Sequence, residues 1–151
     1  MQEKKIIITS DHAGCEAKSV VKEHLKQLGY AVFDYGPHSV DKPVDYPDKA
    51  YMMARGLYRN EAPIGILLCG SGIGMSIAIN RYKHVRGALC CNAEMAKLSR
   101  AHNNANVLIL GGRTTDKQTL IECVDAFLNT RYEGGRHEVR VKKLGRMPDE
   151  L

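Results

Sequence analysis

Long hydrophobic runs are absent from this sequence of 151 residues. No segment approaches the ~20 consecutive apolar residues that a membrane-spanning helix needs, so we expect no membrane partner. The opening stretch, MQEKKIIITSD, has a short apolar run and no small-residue cleavage site, which argues against a signal peptide. Internal repeats and low-complexity linkers are also absent, and the length fits one domain.

Cysteine pairs with metal-ligand spacing are missing too. The five cysteines form no C-x-x-C pair, and their number is odd. Both facts favour free thiols in a reducing cytoplasm over a disulfide framework or a zinc site. We therefore expect a cytoplasmic protein without a metal.

A strong concentration of charge is missing from most of the chain. Lysine and arginine number 22 against 17 aspartates and glutamates, which gives a net charge of +5. This excess suits an anionic ligand, whereas nucleic-acid-binding proteins usually concentrate their positive charge more strongly. The one denser zone is GGRHEVRVKKLGR at residues 134–146. We expect a small anionic ligand and no nucleic acid.

What the sequence does contain is a regular alternation of apolar runs and helical patterns. The apolar runs predict five strands, at 5–9, 31–35, 64–69, 87–91 and 106–110. Helical spacing and capping signals predict helices at 17–28, 48–60, 73–82, 93–101 and 116–129.

Near-continuous apolar strands that alternate with helices are typical of a parallel sheet covered on both faces. The predicted fold is an α/β, three-layer αβα domain with a five-stranded parallel sheet of the Rossmann or flavodoxin-like kind. We expect a flavodoxin-like strand order or a close variant. The domain should occupy residues 1–130, and residues 131–151 should form a basic extension with room for one more helix, packed on the domain or on a partner subunit.

The stretch CGSGIG at residues 69–74 follows the third predicted strand and contains three glycines. A dinucleotide fingerprint would need a glycine where Met75 stands, a P-loop would need a Gly-Lys-Ser/Thr sequence, and a G-x-S-x-G elbow would need glycine in place of Cys69. By elimination, the glycines bring backbone N–H groups close to a negative group at the start of a helix.

Cys69 has two interpretations at this stage. A cysteine at the end of a buried strand is most often a small hydrophobic residue of the core. Backbone amides and a helix N-terminus beside it would create a positive potential that favours the thiolate, which is a nucleophile and a base. For Cys15, Cys90, Cys91 and Cys123, which fall within helical or strand patterns, we expect a structural role.

Two further loops, SDHAG at 10–14 and DYP at 45–47, should reach the same edge of the sheet, where ligands bind in this class of fold. Asp11 is either the N-cap of the following helix or a ligand-binding residue, and His12 is either an exposed first-turn residue or part of a pocket. Two polar loops at one edge favour a pocket.

Five motifs stand in order along nearly the whole chain: SDHAG, DYP, CGSGIGMSIAIN at 69–80, SRAHNNANVLILGGR at 99–113 and YEGGRHEVRV at 132–141. In these motifs the sequence resembles the ribose-5-phosphate isomerase type B family, which also contains galactose-6-phosphate and allose-6-phosphate isomerases. The resemblance implies an aldose–ketose isomerase of the pentose phosphate pathway, acting without metal or cofactor through a cis-enediol.

The resemblance also implies roles for individual residues. Cys69 would be the base that moves a proton between C1 and C2, and His102 would help to open the sugar ring. The hydroxyl of Ser71 and the backbone of the loop would form an anion hole; the loop residues are Gly70, Gly72, Ile73 and Gly74. The implied substrate contacts are Asp11, His12, Tyr46 and Asn103, and the implied phosphate-binding residues are Arg113, Arg136 and Arg140.

Two positions depart from common patterns of the family. Many members carry threonine where this chain has Ser71, and serine keeps the hydroxyl. One branch lacks the cysteine and uses a glutamate just after the glycine loop, where this chain has Met75. Cys69 is therefore the only base that the resemblance offers.

The position of His102 suggests an assembly. His102 precedes the fifth strand and so should lie at the amino-terminal edge of the sheet, whereas Cys69 ends the third strand at the opposite edge. A five-residue strand spans ~17 Å, so one subunit should not bring the two together. We expect a homodimer with shared active sites, or a tetramer made of two such dimers.

Three alternatives remain open from the sequence. The substrate could be allose 6-phosphate or galactose 6-phosphate, because the enolisation is the same. A non-catalytic protein that binds sugar phosphates would need neither Cys69 nor His102, and a redox thiol protein would need a nearby resolving cysteine.

Overall fold

A computed structural model describes residues 3–146, and its centre is a parallel sheet. The five strands are β1 (Lys5–Ser10), β2 (Ala31–Asp34), β3 (Ile64–Cys69), β4 (Gly87–Leu89) and β5 (Val107–Gly111). β1, β3 and β5 are buried on both faces, which explains the continuous apolar sequence of β3 and β5 and the run of three isoleucines in β1. The strand order is β2-β1-β3-β5-β4, a close variant of the flavodoxin-like order with the last two strands exchanged.

Helices cover both faces of the sheet. They are α1 (Cys15–Gln27), α2 (Tyr46–Tyr58), α3 (Ile73–Ile79), α4 (Ala93–Asn103), α5 (Lys117–Asn129) and α6 (Glu138–Leu144). Short 3₁₀ helices occupy His12–Gly14 and Gly135–His137. One core cluster joins the sheet to α1, α4 and α5, and a second joins it to α2 and α3. The predicted three-layer αβα fold is confirmed.

Some boundaries differ from those predicted. The second helix begins at Tyr46 rather than at residue 48, with Asp45 as its N-cap residue, because a proline is well tolerated in the first turn of a helix. β4 ends at Leu89, so Cys91 is exposed instead of lying within a strand. α4 extends to Asn103 and ends at Asn104 in the left-handed conformation, with φ of 47°.

The segment between β2 and α2 is fastened at its base by a buried ion pair. Lys18 is only 2% exposed, and its Nζ lies 2.7 Å from Asp34 Oδ1 and 2.7 Å from the carbonyl oxygen of Pro37. Burial alone would raise the pKa of Asp34, but hydrogen bonds from Lys18, Lys22 and the Gly36 amide outweigh it and lower the pKa to about 2. The ion pair thus anchors a loop that reaches the carboxyl edge of the sheet.

Among residues 3–146, no helix combines the length and the apolar character that crossing a membrane requires. The division into residues 1–130 and an extension over 131–151 stays a prediction, and both ends of the chain (1–2 and 147–151) lie outside the described residues. The extra helix predicted in the extension is α6.

Candidate active site

The loop after β3 places a backbone amide against the sulfur of Cys69. The N–H of Gly72 donates to Cys69 Sγ at 3.1 Å, and the thiol is 5% exposed at the edge of the core. Gly72 has a φ of +79°, and a Cβ there would lie 2.5 Å from Leu89 Cδ1. Only glycine fits this conformation and this space, so the contact with the sulfur depends on Gly72.

The glycine loop is tied to the loop that follows β5. The amide of Gly112 donates to the carbonyl oxygen of Cys69 at 2.7 Å, and the amide of Arg113 donates to that of Gly70 at 2.9 Å. Ser71 is exposed, and its Oγ accepts from the amide of Ile73 at 3.2 Å. The exchanged order of β4 and β5 therefore brings Arg113 beside the loop that carries Cys69.

The loop after β1 supplies Asp11 and His12 at the same edge. Asp11 is 7% exposed, and its Oδ1 accepts from the amide of Gly14 at 3.0 Å, so it does serve as the cap of the first 3₁₀ helix. His12 Nδ1 accepts from the amide of Val44 at 3.3 Å. In a neutral imidazole the proton is then on Nε2, which leaves that nitrogen able to donate to a ligand.

Tyr46 closes the site on the side of α2. Its ring packs against Gly74, where a Cβ would lie 2.8 Å from the ring atom Cζ. A groove with a volume of about 520 Å³ runs past His12, Val40, Arg113 and neighbouring residues. It adjoins the loops after β1 and β5, and Cys69 itself does not line it.

A second group of predicted site residues lies on the last turn of α4 and in the C-terminal extension. The amide of Glu133 donates to the carbonyl oxygen of Ala101 at 3.0 Å, which fastens the extension to α4. The rings of His102 and His137 stack with their centroids 4.3 Å apart. Arg140 donates through Nη1 to the carbonyl oxygen of Arg136 at 3.1 Å.

The two groups lie at opposite edges of the sheet. Cys69 pairs with Gly111 at the carboxyl end of β5, whereas His102 precedes Val107, where β5 begins. Five strand residues separate these ends by ~17 Å. One chain therefore joins Cys69 and its loop with Asp11, His12, Tyr46 and Arg113, and separately joins His102 and Asn103 with Arg136 and Arg140.

The family is shown by comparison with known proteins. The model of the ribose/galactose isomerase family matches residues 6–144. The chain belongs to the ribose/galactose isomerase family. The resemblance in the five motifs is thereby confirmed, and the chain is a sugar phosphate isomerase of the same type as the ribose-5-phosphate isomerases B.

Several members of the family are similar over almost their full length. Ribose-5-phosphate isomerase B of Escherichia coli is 40% identical over 141 residues, which are 93% of this chain and 94% of that protein. A ribose 5-phosphate isomerase structure from Thermotoga maritima has a TM-score of 0.93 at 48% identity, covering 97% of this chain and 100% of its own. A Mycoplasma genitalium ribose-5-phosphate isomerase B with bound ribulose 5-phosphate has a TM-score of 0.92 at 40% identity, and all of both chains is covered.

The remaining cysteines differ from Cys69 in their surroundings. Burial raises the pKa of Cys90 to about 12 and that of Cys123 to about 11, so both stay protonated near neutral pH. Cys15 is buried and donates to the carbonyl oxygen of Pro37 at 3.4 Å. Cys91 is exposed. These environments fit the structural role expected for the three buried thiols.

Sequence reasoning passed over Glu133 and His137, which the structure places against His102. Both lie within the YEGGRHEVRV motif, but a contact between this motif and α4 depends on packing. The carboxylate of Glu133 near the predicted catalytic His102 would have identified this residue, but that proximity is visible only in the structure.

Proposed function

We propose that this protein interconverts ribose 5-phosphate and ribulose 5-phosphate through a cis-enediol, with Cys69 as the base. The hydrogen bond from the Gly72 amide to Cys69 Sγ carries this proposal, because it stabilises a thiolate at the mouth of the glycine loop. Family membership and the relative with bound ribulose 5-phosphate support the choice of substrate. The reaction would belong to the pentose phosphate pathway.

The proton transfer follows from the chemistry of the loop. The thiolate removes the proton from C2 of the open-chain aldose, the C2–H electrons form the C1–C2 double bond, and the carbonyl electrons move to oxygen. A proton then passes from the C2 hydroxyl to the oxygen on C1. The O2 electrons form the C2 carbonyl while the double bond takes the proton from sulfur at C1, which gives the ketose and restores the thiolate. Backbone amides of residues 70–74, with the Ser71 hydroxyl, would hold the developing oxyanion.

The other residues would bind and open the sugar. Asp11, His12 and Tyr46 would contact the sugar, and Arg113 beside the groove would bind the phosphate, for which a planar guanidinium is well suited. His102 would protonate the ring oxygen as the ring opens. Asn103 would bind a sugar hydroxyl, and Arg136 and Arg140 would complete the phosphate site.

These assignments require two chains, because His102 and Cys69 lie at opposite edges of one sheet. We propose a two-fold dimer in which each chain gives its His102 group to the partner's Cys69 loop, alone or as half of a tetramer. Exposed apolar residues next to the loop support such a contact: Ile73 and Ile77, on α3, are each 56% exposed. Burying them would cover the open side of the site.

Deuterium exchange tests the role of Cys69. Wild-type protein in heavy water should exchange a carbon-bound proton of ribulose 5-phosphate, and Cys69→Ser should lower that exchange by roughly 10²–10⁴-fold. Cys91→Ser, which changes an exposed thiol, is the matched control and should keep full activity. Undiminished exchange in Cys69→Ser would remove the thiol from the mechanism.

The same preparation decides the substrate. Ribose 5-phosphate, allose 6-phosphate and galactose 6-phosphate should be compared by kcat/KM. A higher kcat/KM for either hexose phosphate would show that this hexose phosphate, rather than ribose 5-phosphate, is the preferred substrate. The role of Cys69 would be unaffected.

A further inference from the structure

A single carboxylate oxygen lies near the Nε2 atoms of two histidines whose rings stack on each other. Glu133 Oε2 is 3.8 Å from His102 Nε2 and 3.6 Å from His137 Nε2. The two imidazole planes are inclined by only 15°. This cluster belongs to the His102 group, yet none of the proposed steps uses Glu133.

Two histidines and a glutamate are a common ligand set for zinc, and the ligand atoms here lie within 4.8 Å of one another. The geometry does not suit a metal. Nearly parallel rings direct their nitrogen lone pairs side by side instead of towards one point. The charges of Arg136 and Arg140, which act on His137, would also oppose a bound cation.

We propose that Glu133 is a positioning residue that orients the imidazole of His102 through Nε2. This inference rests on the proposed function. A carboxylate beside Nε2 favours a proton on that nitrogen and leaves Nδ1 to face the sugar. Once His102 is protonated, the same carboxylate, whose side chain is 60% exposed, stabilises the imidazolium as a partner in an exposed ion pair.

The orientation of His102 by Glu133 would matter in the ring-opening step. The C1 hydroxyl releases its proton to water and its electrons form the C1 carbonyl. The bond between C1 and the ring oxygen breaks, and the ring oxygen takes a proton from Nδ1 of the His102 imidazolium. The imidazole returns to its neutral form with the remaining proton on Nε2, next to Glu133. Glu133 thus favours a proton on Nε2 both before and after the transfer.

His137 and the backbone support the assignment. Desolvation, together with the charges of His102 and Arg136, lowers the pKa of His137, which weakens its competition with His102 for the carboxylate. The face of His137 limits the rotation of the His102 ring by stacking. The hydrogen bond from the Glu133 amide to Ala101 fixes the carboxylate's backbone one residue from His102.

Glu133→Gln tests the inference, because it keeps the shape and removes the charge. Two reactions of the full-length protein are compared. Isomerisation of ribose 5-phosphate begins with a closed ring, whereas deuterium exchange into ribulose 5-phosphate begins with an open chain. We expect kcat for isomerisation to fall about three- to fivefold, the scale of an exposed ion pair, and the exchange rate to stay unchanged.

Glu138→Gln, which removes an exposed glutamate 3.1 Å from Lys142, is the matched control and should affect neither reaction. An equal loss of both reactions in Glu133→Gln would show a general structural role and overturn the assignment, as would no loss in either. Zinc binding that Glu133→Gln abolishes would overturn it as well. Failure of the proposed function is distinguishable, since wild-type protein would then show no exchange.

Discussion

The amide of Gly72 donates to the sulfur of Cys69 across 3.1 Å. Gly72 has a left-handed backbone conformation, which favours glycine over other residues. We therefore predict that Gly72→Ala disrupts the loop. A left-handed alanine costs about 1–2 kcal/mol, and its Cβ would also meet Leu89 Cδ1 at 2.5 Å and the carbonyl carbon of Leu110 at 3.2 Å. Isomerase activity should be lost, and urea unfolding should show a larger loss of stability than the backbone strain alone.

Gly29→Ala is the control for Gly72→Ala. Gly29 has a φ of +82°, and a Cβ there would meet nothing within 4 Å. This variant should lose about 1–2 kcal/mol of stability and keep its activity. If both variants retained normal kinetics, the contact between amide and sulfur would have no part in catalysis.

Mixed dimers provide a prediction about shared sites. Cys69→Ala and His102→Ala should each be inactive alone. Unfolding and refolding an equal mixture should restore about a quarter of wild-type activity, because half of the dimers would be mixed and each would have one complete site. Activity assays after confirmed subunit exchange provide the measurement, and an inactive mixture would argue against sites built from two chains.

Arg113→Lys should weaken phosphate binding. The amide of Arg113 is fixed to Gly70 at 2.9 Å, so its side chain starts from a rigid position next to the glycine loop. Lysine keeps the charge and loses the planar pair of donors, and one charged hydrogen bond is worth about tenfold in affinity. We expect KM for ribose 5-phosphate to rise about tenfold with a smaller change in kcat.

Arg59→Lys, an exposed arginine just after α2, is the matched control for Arg113→Lys. The measurement is steady-state kinetics of both variants, which gives KM for ribose 5-phosphate and the inhibition constant of inorganic phosphate as a competitive inhibitor. Unchanged KM and unchanged phosphate inhibition in Arg113→Lys would place the phosphate elsewhere.

Lowering the pH should reduce the free energy of unfolding through protonation of Asp34. Its folded pKa of about 2 is below the ordinary value of 3.8, so the ion pair stabilises the fold above the ordinary value and is lost as the pH falls towards 2. The difference corresponds to about 2 kcal/mol at neutral pH. Asp34→Asn should lower the free energy of unfolding at pH 7 by at least that amount, since it leaves Lys18 buried without its carboxylate.

The measurement for Asp34 is urea unfolding between pH 7 and pH 2. Wild type should lose stability steeply below pH 4, and Asp34→Asn should show a flatter profile there. Asp41→Asn, in an exposed loop, should follow the wild-type curve. A parallel decline in wild type and Asp34→Asn would mean that other groups govern acid unfolding.

Local sequence was enough to predict most elements of the fold. β3 consists of consecutive apolar residues and β1 contains three consecutive isoleucines because both faces of these strands are covered, and that pattern needs no tertiary information. Gly29 follows α1 with a positive φ, as expected of a residue that ends a helix. The loop residues at Cys69 were also identifiable, since glycines directly after a buried strand indicate close backbone approach.

Strand order and the partition of the site were decided by tertiary structure. β5 lies between β3 and β4, which brings Arg113 next to Gly70, and no periodicity in the sequence encodes which strands become neighbours. The contact of Glu133 with His102 joins the extension to α4 in the same way. Hydrophobic pattern and turn chemistry act over a few residues, so the sequence by itself determined the strands and helices and the kinds of reactive side chain in the loops. Which of these strands and side chains become neighbours depends on how the buried faces of the sheet and helices pack, and that packing is a property of the whole chain.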